Sequence, residues 1–175
     1  MKLILTFDYE LFGNGSGDLF DHVIYPTNEI LRVCDKYNIK TTIFFEVVEY
    51  WVLKKEWEFG NNMGYNQNPI KAMEKQLQDA YKNGHDIQLH FHPQWLGAKF
   101  INNKWNLNLE NWRLSDFQTI DGYDQEKLIQ EGKKTLNEIL KSIKLDYKPY
   151  ILRAGGYNIL PSESIGKAML NTGVI

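Results

Sequence analysis

Apolar positions recur along the chain with two different periods, and the period changes segment by segment. Leu3 to Glu10 is an apolar run in which Thr6, Asp8 and Glu10 occupy alternate positions, which predicts a buried strand whose C-terminal end turns polar on one face. Lys40 to Val48 is β-branched and aromatic and predicts a second strand. Asp86 to His92 alternates again, placing Gln88, His90 and His92 on one face and Ile87, Leu89 and Phe91 on the other. Pro149 opens a fourth strand over Tyr150–Arg153, Gly155-Gly156 form its exit turn, and Gly173-Val174-Ile175 read as the start of a fifth.

Between these segments the period lengthens. Ile30, Leu31, Cys34 and Tyr37 form a helical stripe, predicting a helix from about Pro26 or Thr27 to Asn38. Pro69 opens a second helix carrying Ile70, Met73, Leu77, Ala80 and Tyr81, closed by Asn83-Gly84. Asp124 caps a long third one through Leu128, Leu136, Ile139, Leu140 and Ile143, and Pro161-Ser162-Glu163 begin another. Tyr50–Asn68 has no clear period and reads as a partly helical excursion, and Ala98–Leu109 reads as a hairpin about an Asn-Asn turn. Strand, helix, strand at this spacing is a parallel βαβ unit, so the fold class is α/β.

Composition narrows the function. The 175 residues make one domain, 1–175, and a net charge of −2 offers no broad attraction to nucleic acid or acidic membranes. Recognition then falls to a local site, which favours a small-molecule or glycan ligand. The N-terminal apolar run is too short for a signal peptide, and no stretch reaches the roughly 18 apolar residues of a membrane span, so the chain as written is expected to be soluble and cytoplasmic. The single cysteine, Cys34, excludes an internal disulfide and reads as a buried small hydrophobe. Aromatic residues at 14% serve as core filler or as a sugar-stacking groove.

Strand alternation puts Asp8 and Glu10 on a shared face of their strand, and His90 and His92 on a shared face of theirs, at the C-terminal ends of two parallel strands. Ligands bind at that end of such sheets. Two imidazoles and a carboxylate suit a Zn²⁺ with open positions, and a second carboxylate nearby could act as base for a water. His22 and His85 have no such company and read as ordinary surface residues.

Three segments resemble, in order, the first three motifs of polysaccharide deacetylases with the NodB homology fold: Thr6-Phe7-Asp8-Tyr9-Glu10, Gly84-His85-Asp86-Ile87-Gln88-Leu89-His90-Phe91-His92-Pro93, and Leu152-Arg153-Ala154-Gly155-Gly156-Tyr157. The resemblance implies a distorted (β/α)7 barrel and a divalent metal, Zn²⁺ or another, that activates water to remove acetyl groups from an N- or O-acetylated saccharide. It places the catalytic base on Asp8 and its aligning arginine on Arg153. The family's metal-binding aspartate is replaced by Tyr9, and alternation points Tyr9 away, which makes Glu10 the substitute ligand. His90 matches the first histidine of the second motif. His92 stands one residue beyond it rather than three, and is assigned from the shared strand face.

The family's later motifs would lie past Ile175, and no histidine follows His92. As written, the chain reads as an incomplete NodB-type barrel, truncated or divergent, without the expected proton donor, whose open edge invites self-association. A non-catalytic glycan-binding barrel that keeps the metal pocket is the alternative. Phosphate-loop, serine-nucleophile and facial-triad iron readings fail: the glycine loop Gly13–Gly17, read as plain and flexible, lacks a lysine, Ser16 follows no suitable strand, and the βα alternation contradicts an all-β fold.

Overall fold

A computed structural model describes residues 3–115, 119–157 and 163–175. Four strands, β1 (Leu5–Tyr9), β2 (Thr41–Glu46), β3 (Asp86–Phe91) and β6 (Leu152–Ala154), form one parallel sheet in the order β1-β2-β3-β6, which curls into a half-barrel. The α/β class holds.

The sheet's two faces divide the labour. Tyr9, Ile43, Phe45, Ile87, Leu89 and Phe91 are buried together under the helices. Thr6, Asp8, Phe44, Glu46, Gln88, His90 and Arg153 occupy the alternate positions, so the opposite face collects the polar groups. Register aligns Glu46 with His90 and His90 with Arg153.

The first helix begins earlier than the stripe predicts. A π-turn over Phe20–Ile24 runs straight into α1 (Tyr25–Lys36), because Leu19, Phe20, Val23 and Ile24 are all buried and Asp18 Oδ1 accepts from the backbone N–H groups of Phe20 and Asp21. β2 ends two residues sooner than predicted. Val47 opens α2 (Val47–Glu58), since the Glu46 side chain accepts from the Glu49 N–H and caps it. The cap predicted at Asp124 forms, accepting from Lys127 N at the head of α4 (Gln125–Leu140), and α3 (Pro69–Lys82) starts at Pro69 as predicted, with Asn68, which carried no such prediction, accepting from Lys71 N.

The hairpin forms as β4 (Lys99–Ile101) and β5 (Lys104–Asn106), and its turn residues Asn102 and Asn103 both take positive φ, 52° and 58°. α5 spans Glu163–Thr172, while Pro161 and Ser162 fall outside the described residues. Past α5, Ile175 N donates to Tyr150 O and Ile175 O accepts from Leu152 N, so the chain lies along β6 as a fifth strand would. No helix among the described residues is long and apolar enough to cross a membrane. Cys34 is buried as predicted.

Candidate metal centre

The C-terminal ends of β1 and β3 bring the site together. Glu10 lies one residue past β1, and His92 lies one residue past β3 in extended backbone, φ −116° and ψ 93°, so alternation carries its ring to the face of His90. Glu10 Oε2 stands 2.7 Å from His92 Nε2 and 3.1 Å from His90 Nε2. The two rings meet at 88° with centroids 4.9 Å apart. Both Nε2 atoms are buried, and beyond these close approaches to Glu10 neither makes a well-angled hydrogen bond among the described residues. Two buried imidazole nitrogens converging on one carboxylate oxygen are a donor set suited to a divalent cation: the 3.1 Å His90 spacing falls within the roughly 3 to 3.4 Å expected between ligands about 2.1 Å from a shared ion, while the 2.7 Å His92 spacing would have to open by a few tenths of an ångström. Glu10, His90 and His92 could therefore hold a metal ion.

Neighbouring groups set the ring protons. The Arg153 carbonyl can only accept, so His90 Nδ1, 2.8 Å away, carries the proton and leaves Nε2 its lone pair. Gln94 governs His92: its terminal amide lies 2.9 Å from Nδ1, while its Oε1 is buried without a partner among the described residues. As it stands, that donor leaves the His92 proton on Nε2, facing Glu10; His92 Nε2 becomes a ligand only if the amide turns over so that Oε1 accepts Nδ1–H, which gives up the long 3.4 Å contact of its nitrogen with Gly13 O. With no metal bound, burial pushes the Glu10 carboxyl up, but hydrogen bonds from His90 and His92, and the charge those rings carry when protonated, outweigh it and hold its pKa at about 2.

Asp8 sits beside this cluster. Its Oδ2 is 3.9 Å from His90 Nε2, while Oδ1 accepts from Arg153 Nη1 at 2.5 Å. Arg153 reaches from β6 across the sheet to β1, its guanidinium 3.8 Å above the Phe44 ring, and its Nη2 donates to Thr6 Oγ1 at 2.8 Å. This is more than a chance surface pair: three strands fix the arginine.

Tyr9 turns away as alternation requires. It is buried, and its hydroxyl donates to Gln76 Oε1 at 2.7 Å. His22 is exposed as predicted. His85 corrects its prediction: it is 2% exposed, with Nδ1 accepting from Thr41 N and Nε2 3.2 Å from Asp35, because the turn into β3 tucks the ring beneath β2. Burial lowers its pKa.

Three supporting residues escape sequence reading. Glu46, fully buried at the end of β2, accepts from His92 N at 2.6 Å; its signal was an acid at the end of an apolar strand, like that of Asp8. Glu49, also buried, accepts from Leu11 N at 3.0 Å and so ties down the chain just past Glu10. Gly155 meets the His92 ring so closely that an added Cβ would stand 2.3–2.4 Å from ring atoms. Nothing local in the sequence announces that contact. No protein-family model and no curated protein matches the chain.

Proposed function

We propose that the protein is a metal-dependent hydrolase that removes acetyl groups from an N- or O-acetylated saccharide, with the geometry of an open NodB-type barrel. The supporting observation is the pair of buried Nε2 atoms gathered on Glu10 beside the Asp8–Arg153 pair. Glu10, His90 and His92 would hold the ion, and a bound Zn²⁺ would polarise an acyl oxygen and acidify a water. Asp8 supplies the base. With Oδ1 occupied by Arg153, Oδ2 is free to take a proton from the attacking water. Water oxygen bonds the acetyl carbon, the bond to sugar nitrogen or oxygen breaks, and the proton held by Asp8 is the one the leaving group needs. Thr6 and Phe44 keep Arg153 aimed throughout.

Elemental analysis after reconstitution with zinc should find about one equivalent per chain. Asp8→Asn should keep that metal and lose about a hundredfold or more in acetate release from acetylated chitin-type oligosaccharides, whereas Glu10→Gln should lose the metal. Glycan binding without acetate release by the metal-loaded protein would instead establish a non-catalytic barrel.

A further inference from the structure

The glycine loop Gly13–Gly17, which supplies no ligand to the metal centre, is tied down rather than free. Gly15 N donates to Phe12 O at 2.6 Å and Ser16 N to Asn14 Oδ1 at 3.0 Å. Gly15 has φ +75°, and a Cβ there would stand 2.9 Å from Trp105 Cβ, so glycine is what lets the loop lie against the hairpin. One more tie comes from beside the metal centre: Gln94 Nε2 lies 3.4 Å from the Gly13 carbonyl and 2.9 Å from His92 Nδ1.

That amide cannot serve both neighbours once His92 is a ligand. The Gln94 backbone is pinned: it lies in the single turn Pro93–Trp95, closed by Trp95 N donating to His92 O at 3.0 Å, and its carbonyl accepts from Asn108 N at 3.0 Å. Only the end of the side chain is left to turn. With its nitrogen toward the ring, Gln94 donates to His92 Nδ1 and to Gly13 O, and the ring proton sits on Nε2, where a metal would have to displace it. Turned over, the amide puts Oε1 where Nε2 now is. It accepts Nδ1–H and frees the Nε2 lone pair, but it faces the Gly13 carbonyl, acceptor against acceptor, and its nitrogen moves to the buried place where Oε1 has no partner among the described residues. What His92 gains the loop loses.

We infer that Gln94 is a positioning residue shared between the metal centre and the glycine loop, a latch that holds Gly13 when no metal is bound and lets go when His92 becomes a ligand. The inference rests on the metal site of the proposed function, Glu10, His90 and His92, and not on the acetyl chemistry. Linkage makes the effect reciprocal: metal binding loosens the loop by the same factor by which the held loop weakens metal binding. A single hydrogen bond as long as 3.4 Å sets that factor at about twofold to tenfold.

The test follows amide hydrogen exchange of the full chain with and without zinc, beside zinc affinity from competition with a chromogenic chelator. In wild type, zinc should speed exchange of the Gly15 and Ser16 amides by about twofold to tenfold. The sign is diagnostic, since a metal that merely stiffened its surroundings would slow them. Gln94→Glu can only accept, so it should bind zinc at least about tenfold more tightly than wild type, and its loop should exchange at the fast rate whether or not zinc is present. Gln94→Leu neither donates nor accepts; it should bind zinc about tenfold or more weakly and should also lose the loop's response. Wild-type exchange that zinc leaves unchanged or slows, or a Gln94→Glu protein that binds zinc no better than wild type, would overturn the latch, the first of these without relying on any variant. The two readings separate cleanly. Zinc-dependent release of the loop without acetate release keeps the latch and removes the deacetylase, acetate release by a zinc-loaded protein whose loop ignores zinc keeps the deacetylase and removes the latch, and a chain that binds no zinc removes both.

Discussion

Gly155 has no room for a side chain, because the His92 ring lies against its α-carbon. Gly155→Ala must push that imidazole away from Glu10, so zinc affinity should fall by about tenfold or more while the fold persists, measured by competition with a chromogenic chelator. Unchanged affinity would mean that His92 is not a ligand. Glu49 makes a different statement. Burial, added to by the charge of Glu10, raises its pKa to about 8 even though the Leu11 N–H opposes the shift. With a folded value above the ordinary carboxyl value of about 4.3, its contribution is fully present below that pH and is lost as pH rises toward 8, where both states are ionised. Glu49→Gln keeps an oxygen for Leu11 and removes the charge. Its Tm should match wild type near pH 4 and exceed it by about 3 °C or more at pH 8, roughly 1 kcal/mol for a chain of this size, as scanning calorimetry would show.

The junction of β2 and α2 shows what an element can conceal. Lys40–Val48 has strong strand propensity throughout, yet the strand stops at Glu46, where the backbone turns to φ −75° and ψ 102° and the carboxylate accepts from Glu49 N. The deciding groups are a local cap, Glu46 onto Glu49 N, masked by the strand-forming run around it, and the backbone of His92, 46 residues away in sequence. α2 hides its period for a related reason: Val47, Val48, Glu49, Tyr50, Val52 and Leu53 are all buried, so no polar stripe marks a solvent face. By contrast β3 and α3 were legible, because one face of each is distinct and Pro69 and Asn83-Gly84 punctuate the ends of α3. The grouping of the candidate ligands was legible in part for the same reason, since period 2 puts His90 with His92 and Asp8 with Glu10, while the choice of Glu10 as ligand came from the family resemblance. Glu46→Ala should therefore act on two elements at once, costing about 2 kcal/mol or more of stability and loosening metal binding, whereas Glu46→Gln, which retains an acceptor, should recover part of both in denaturation and chelator titrations.

At the scale of the whole molecule the sheet's polar inner face and its β1 border set solution behaviour. Among the described residues no strand pairs with the outer edge of β1, and Leu5 at its start and Leu3 and Ile4 just before it are exposed. Beside that edge, Leu5, Phe7, Ile30, Val33 and Cys34 line an apolar groove between β1 and α1, in which Glu29 is the one charged side chain. An unpaired strand edge offers a row of backbone donors and acceptors to another chain, and an adjacent apolar strip adds a favourable burial term of about 25 cal/mol per Å² covered. The protein should then self-associate as concentration rises, with the β1 edge as the contact. Light scattering coupled to size exclusion, run from micromolar to near-millimolar chain, should show the mean mass climbing above 20.6 kDa. Ile30→Glu, at a position 37% exposed on the rim of the groove, places a second carboxylate next to Glu29 without entering the core and should restore the monomer. A mass that stays at one chain throughout would show that the edge is too short, or too twisted, to recruit a partner. Association that Ile30→Glu leaves intact would move the contact elsewhere, and the zinc stoichiometry of the two species would then tell whether the metal centre lies in it.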